Sequence, residues 1–114
     1  MKCTVFLITL IFSTYCNASW IDTSGKVSSI ITYAHTDTII VNISSVGVDV
    51  AECANKASFV ISKSISSEAR TRMYSMLLSA QATGRTLVVA YSNTGGCEPW
   101  DANASVYRKI VRLR

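Results

Sequence analysis

The sequence predicts a mainly β domain with one α-helix, in the order β-β-β-α-β-β. Short runs rich in β-branched and aromatic residues recur along the chain, and such composition is typical of strands. A single segment near the middle has apolar residues at helical spacing instead. Thr83-Gly84 separates that segment from the next β-type run.

Three strands are predicted before the helix. Residues 26–33 form the first strand, residues 34–37 a polar turn and residues 38–46 the second strand, so this pair is expected to be a hairpin. Residues 48–56 read as irregular. Residues 58–62 form a short third strand.

The helix has start and stop signals. Ser64, Ser66 and Ser67 offer N-cap oxygens, and Glu68 lies in the first turn, where negative charge is favoured. Gly84 ends the helix, because a left-handed residue without a Cβ carries no steric penalty there. A single apolar stripe is formed by Ala69, Met73, Met76, Leu77 and Ala80.

After the helix we predict a fourth strand at residues 86–92, a loop at residues 93–100 and a final strand at residues 106–113. Five strands with a helix between the third and the fourth is the order of the OB-fold, a five-stranded Greek-key barrel. In such a barrel the helix would close one end of the core. A ferredoxin-like fold is disfavoured, because it needs two crossover helices.

The first 18 residues have the organisation of a secretory signal peptide. Lys2 precedes a largely apolar run at residues 3–12, and a short polar stretch ends at Ala18. The run is shorter than the roughly 20 residues that a membrane-spanning helix needs. We therefore expect cleavage after Ala18, a single OB-fold domain at residues 19–114, and a secreted or periplasmic location. Loss of Lys2 would lower the formal charge from +4 to +3.

Cysteine placement predicts one disulfide. Cys3 and Cys16 lie in the signal peptide, which leaves Cys53 and Cys97 to pair in an oxidising compartment. Closing such a loop would stabilise the fold by ~3–4 kcal/mol. His35 and two cysteines do not form a recognised zinc cluster, so neither a metal nor a cofactor is expected.

Basic residues are concentrated near the C-terminus, at Arg108, Lys109, Arg112 and Arg114. No aromatic residues are interleaved with them, as a nucleic-acid-binding surface would require, so nucleic acid is not expected as a partner. We interpret this run as a solvated basic tail, which could also face an acidic partner.

The order of several small motifs resembles a known family. Trp20 is followed by Ser24-Gly25, a cysteine precedes the third strand, the helix ends at Ala82-Thr83-Gly84, and the next strand ends in Tyr91. This order, over roughly residues 20–91, resembles the receptor-binding B subunits of AB5 toxins, in particular the subtilase-cytotoxin and typhoid-toxin type. The resemblance implies a secreted OB-fold virulence protein, a homopentamer that binds cell-surface glycans, typically sialylated, beside a secreted catalytic A subunit.

The resemblance also implies site residues. Ser24 matches a serine that hydrogen-bonds the carboxylate region of sialic acid, Tyr91 matches a tyrosine of the same pocket, and Asp22 matches an acidic residue ahead of that serine. Trp100, beside Pro99 in a glycine-rich loop, is a candidate exposed platform for a sugar ring.

Each of these residues also has a purely structural explanation. Asp22 and Ser24 suit a polar turn, Tyr91 suits a packed aromatic at the rim, and Trp100, like Trp20, suits a residue that closes the barrel. The alternative function is a small secreted monomeric OB-fold protein that binds a protein or a nucleic acid.

No catalytic residue is predicted. His35 lies in a polar turn without a nucleophile pattern nearby and reads as a solvated histidine. Glu98 and Asp101 could form a glycosidase carboxylate pair, but such pairs need a set spacing across a cleft that their short sequence separation does not provide. We therefore expect that the protein is not an enzyme.

Overall fold

The computed structural model describes residues 20–94 and 96–114, so the predicted signal peptide lies outside the described residues. Within them, no helix is long and apolar enough to cross a membrane. The described elements are six strands and one helix: β1 Trp20–Thr32, β2 Ile39–Ile43, β3 Phe59–Ile61, α1 Ser67–Thr83, β4 Thr86–Ser92, β5 Glu98–Trp100 and β6 Asn103–Leu113.

Five of the six strands close into a ring, in the spatial order β1-β2-β3-β6-β4 and back to β1. The closing contact is a parallel pairing of β3 with β6, in which Phe59 lies opposite Arg108. The other pairings in the ring are antiparallel. β5 stands outside the ring as a hairpin arm on β6.

The long first strand serves two neighbours. Its first half pairs with β4, from Trp20 opposite Ser92 to Lys26 opposite Thr86. Its second half pairs with β2, and the register shifts between Val27 and Ser29, at the changeover. Because a bulge of this kind bends a strand and increases its twist, β1 can belong to both sides of the ring.

The mainly β fold with one helix is confirmed, but the predicted number of five strands is wrong. The sixth strand, β5, lies inside the predicted loop at residues 93–100. β5 contains Pro99, which lacks an N–H for a sheet and is tolerated because β5 pairs on one side only. β1 also begins at Trp20 rather than near residue 26, because pairing with β4 overrides the turn-like propensity of Asp22, Ser24 and Gly25.

The helix has the predicted caps and buries the predicted stripe in part. The Ser66 hydroxyl accepts a hydrogen bond from the Ala69 N–H, and Gly84, at φ 70°, donates its N–H to the Ala80 carbonyl. Leu77 and Ala80 are fully buried. The helix packs against β1 and β3. The core cluster also includes Val27, Val41, Ile43, Val50, Phe59, Ile61, Leu87, Val89, Tyr91, Ile110 and Leu113.

The predicted disulfide is confirmed. Cys53 and Cys97 are bonded, with their Cα atoms 5.6 Å apart, and both side chains are buried. The bond joins the β2–β3 connection, residues 44–58, to the residue just before β5. A long irregular connection is thereby tied to the hairpin arm.

The interpretation of the C-terminal basic run as a solvated tail is wrong for Arg108. Its side chain is 1% exposed and donates hydrogen bonds to the carbonyls of Val46, Val48, Lys56 and Ser58. Burial lowers the pKa of Arg108 from its ordinary value. Arg108, Lys109 and Arg112 lie within β6, and the alternation of that strand places Arg108 among the inward-facing residues.

Candidate binding surface at the two hairpin turns

Two adjoining surface depressions lie where the β1–β2 turn approaches the β5–β6 hairpin. Their volumes are about 290 Å³ and about 190 Å³, and they share His35, Thr36 and Lys63. We call the joint depression the hairpin cleft. Its lining consists of Ala34, His35, Thr36, Asp37, Lys63, Pro99, Trp100 and Asp101.

Four aromatic side chains pack together at this cleft, and we call them the aromatic cluster: Tyr33, His35, Trp100 and Tyr107. The Trp100 ring contacts Tyr33, His35 and Tyr107, with centroids 5.2, 5.8 and 5.7 Å away and the rings edge to face. Edge-to-face contacts of this kind contribute ~0.5–1.5 kcal/mol each beyond area burial. These three neighbours restrict the orientation of the partly buried Trp100 ring, so the cluster can serve as a platform.

Strand pairing explains why these rings meet. Tyr33 directly follows β1, and His35 sits in the turn that leads to β2. On the other side, β5 and β6 pair with Trp100 opposite Asn103 and Glu98 opposite Tyr107. The two hairpins thus bring aromatic residues from distant parts of the chain to one end of the molecule.

A buried carboxylate lies beneath the cleft. Glu98 has no exposed surface, and its Oε2 accepts hydrogen bonds from the Thr38 hydroxyl at 2.6 Å and the Lys63 N–H at 3.0 Å. Its Oε1 accepts from the Ser62 hydroxyl at 2.7 Å and lies 3.8 Å from Lys109 Nζ.

Burial by itself would raise the pKa of Glu98. The hydrogen bonds from Thr38, the Lys63 amide and Ser62, together with the charge of Lys109, outweigh burial and hold that pKa below its ordinary value. Glu98 is therefore an ionised structural group. It has neither the exposure nor the raised pKa of a glycosidase acid, which removes the Glu98–Asp101 pair as a catalytic candidate.

The rim of the cleft is polar and carries both charges. Asp37 lies 3.6 Å from Arg70, and Asp101 lies 3.9 Å from His35. Both carboxylates are 74% exposed. With the exposed side chain of Lys63, the rim offers donors and acceptors around the aromatic platform.

Asp22 and Ser24 lie elsewhere, on the outer face of β1. Asp22 accepts hydrogen bonds from Arg112 at 3.1 and 3.3 Å and is 3.5 Å from Arg114, so its carboxylate is already paired. Ser24 is exposed and lies opposite Val88 of β4. Ser24 precedes Tyr33 by nine residues, which is about 30 Å along an extended strand.

Tyr91 is an interior residue in this structure. Its side chain has no exposed surface, and its ring packs 4.9 Å from that of Phe59. Its hydroxyl donates to the Val48 carbonyl at 2.9 Å and accepts from the Val48 N–H at 2.7 Å. Tyr91 therefore fastens the β2–β3 connection to the core and presents no surface to a ligand.

Of the four residues predicted as glycan contacts, Trp100 alone lies in the hairpin cleft. Sequence reasoning missed Tyr33, Asp37 and Lys63. Tyr33 just before a polar turn and His35 within it were the available signal, but no local pattern indicates that this turn meets a second hairpin. No protein-family model, curated protein or solved structure matches this chain.

Proposed function

We propose that this is a secreted, non-catalytic glycan-binding protein with the hairpin cleft as its sugar site. The observation that carries the proposal is the Trp100 ring, fixed by three aromatic neighbours beside a rim of carboxylates and amines. Sugars present apolar ring faces, which pack on aromatic rings, and hydroxyl groups, which pair with carboxylates and amines. A platform with a polar rim matches both requirements.

The fold supports the same proposal. The ring of β1, β2, β3, β6 and β4, with α1 between β3 and β4, has the strand content and the helix position of an OB-fold, which supports our proposal that the domain belongs to that class. β5 is then an added arm that carries Trp100. OB-folds commonly bind oligosaccharides and oligonucleotides through a strand face and adjacent loops.

The resemblance to AB5 toxin B subunits adds the finer part of the proposal. In it, the chain forms a homopentamer, binds sialylated cell-surface glycans and accompanies a secreted catalytic subunit. The buried disulfide supports export, because such bonds persist in oxidising compartments. A pentamer would raise the weak sugar affinity of a single site through multivalency.

Glycan binding by the oxidised protein tests the proposal, with the two tryptophans as a matched pair. Trp100→Ala should weaken binding on an array of sialylated and neutral glycans by more than about tenfold, as expected for a central aromatic contact. Trp20→Ala removes the other indole, which is 53% exposed and lies away from the cleft, and it should leave binding unchanged. An array without any bound glycan, or equal losses in both variants, would reject the site.

The assembly is tested separately by light scattering of the same protein. A pentamer would have about five times the monomer mass. A monomer mass would reject the pentamer, and the glycan array would still test the sugar site.

A second candidate function, binding of a protein partner, is favoured by a different surface. A cleft of about 270 Å³ lies between α1 and the end of β6, and its lining is Ala69, Arg72, Met73, Met76, Val111, Arg112 and Leu113. Methionine side chains adapt to varied apolar partners. An acidic, leucine-rich peptide should then change the NMR chemical shifts of residues in this cleft alone, and Met76→Glu should abolish those changes. This result would support protein binding over glycan binding.

A further inference from the structure

We infer that Glu98, although it forms no part of the surface of the hairpin cleft, is the positioning residue that sets the cleft's geometry. The role of Glu98 in binding rests on the proposed function. Its effect on the geometry of the cleft can be measured without any ligand.

The contacts of Glu98 reach every segment that lines the cleft. Thr38 follows the β1–β2 turn, and its hydroxyl donates to Oε2 at 2.6 Å. Ser62 and Lys63 connect β3 to α1, and they donate at 2.7 and 3.0 Å. Glu98 itself stands two residues before Trp100 in β5. One carboxylate thus binds a donor from each of the two other walls.

A hydrogen-bond relay carries this contact up to the cleft lining. Thr38 accepts a hydrogen bond from the Thr36 hydroxyl at 3.4 Å, and its own N–H donates to the same hydroxyl at 3.3 Å. Thr36 lines the cleft next to His35. The side of the cleft that carries His35 therefore takes its position from a carboxylate on the side that carries Trp100.

The charge of Glu98 matters as well as its shape. Hydrogen bonds to an ionised acceptor are about twice as strong as neutral ones, and Lys109 Nζ at 3.8 Å adds an opposite charge. Glutamine has nearly the same shape but one acceptor oxygen fewer and no charge. Its one oxygen can replace only one of the two carboxylate oxygens, and its NH2 group, itself a donor, would take the place of the other. At least one of the three donors would then lose its acceptor, Lys109 would lose its opposite charge, and the tie between the walls would loosen.

Two variants separate this role from general stability. Glu98→Gln removes the charge, and Thr38→Val removes the tether to the β1–β2 turn while retaining the side-chain shape. Ser29→Ala is the matched control. It removes a hydrogen bond of 2.8 Å that Asn42 of β2 donates to Ser29 of β1, and neither residue lines the cleft.

The measurement is NMR of the ligand-free protein in a Trp20→Phe background, so that the Trp100 indole N–H gives a single signal, with the His35 ring protons observed alongside it. Glu98→Gln and Thr38→Val should shift both sets of signals, and Ser29→Ala should shift neither. Glycan affinity should fall about three- to tenfold in the first two variants, as expected for one lost hydrogen bond, and stay unchanged in the control.

Unchanged Trp100 and His35 signals in both Glu98→Gln and Thr38→Val would overturn the inference. Shifted signals in a protein whose wild type binds no glycan would uphold the positioning role and reject the proposed function instead. The two failures are therefore distinguishable.

Discussion

The guanidinium of Arg108 lies 4.0 Å from the centre of the Phe59 ring, inside the barrel, and 5.3 Å from that of Tyr91. From there it donates to four backbone carbonyls of the β2–β3 connection. A buried charge is tolerated only when it is well hydrogen-bonded, and carbonyls of an irregular segment need donors in turn. One side chain meets both needs and fixes residues 44–58.

We predict that Arg108→Met destabilises the protein strongly. The variant keeps apolar bulk over Phe59 but leaves the four carbonyls without these donors, and we expect a loss of about 3 kcal/mol or more in the free energy of unfolding. Urea unfolding followed by circular dichroism measures it. Arg85→Met, at an exposed position after the helix, should change stability by less than about 0.5 kcal/mol. Similar values for both variants would contradict the role assigned to Arg108.

The lowered pKa of Glu98 predicts a contribution to stability that depends on pH. The folded-state pKa lies below its ordinary value of 4.5, so the unfolded chain takes up the proton first as the pH falls. The contribution is thus fully present above pH 4.5 and is lost as the pH falls through the folded-state pKa. Melting temperatures between pH 7 and pH 2 should decline less steeply in Glu98→Gln than in the wild type. Parallel curves would show that Glu98 makes no pH-dependent contribution to stability.

Removal of the disulfide should cost substantial stability. The sequence separation of Cys53 and Cys97 is 44 residues, and in the chain-entropy model a loop of this size is worth about 4 kcal/mol. The Cys53→Ala/Cys97→Ala double variant should lose this amount in urea unfolding. Reductant should destabilise the wild type to a similar degree and have no effect on the double variant, which serves as the control.

Tyr91→Phe should act on stability and not on ligand binding. The variant removes a hydroxyl that bonds both polar groups of Val48, and we expect a loss of about 1–2 kcal/mol. Ser24→Ala, on the exposed face of β1, should be nearly neutral for stability. Neither should change glycan affinity at the hairpin cleft. Weaker glycan binding by both variants would instead support the site that the resemblance implies.

The elements that sequence alone predicted are those with local signals. Ser66 and Gly84 cap the helix as expected, and β4 has the predicted bounds, because capping and β-branched composition act over a few residues. The first half of β1 was missed, because its strand conformation comes from pairing with β4, more than sixty residues away. β5 was missed for a local reason: Pro99 disfavours a strand, and it is tolerated here because β5 pairs on one side only.

The candidate site was less predictable than the fold. Trp100 was identified from its residue type and its glycine-rich surroundings, but the cleft depends on a meeting of the β1–β2 turn with the β5–β6 hairpin. Glu98 was considered as a catalytic acid, since sequence does not reveal that its oxygens are occupied by Thr38, Ser62 and Lys63. These contacts depend on how the strands pair around the closed sheet, and no local sequence pattern specifies that pairing.

The parallel contact of β3 with β6 has a kinetic consequence. Phe59 and Arg108 are 49 positions apart, so the ring cannot close until a long stretch of chain has been synthesised and brought back. Proteins dominated by such distant contacts fold slowly, on a scale of ~milliseconds to seconds. A bond between Cys53 and Cys97 shortens the effective path between these strands, and we expect the oxidised chain to reach its native state sooner than the reduced one.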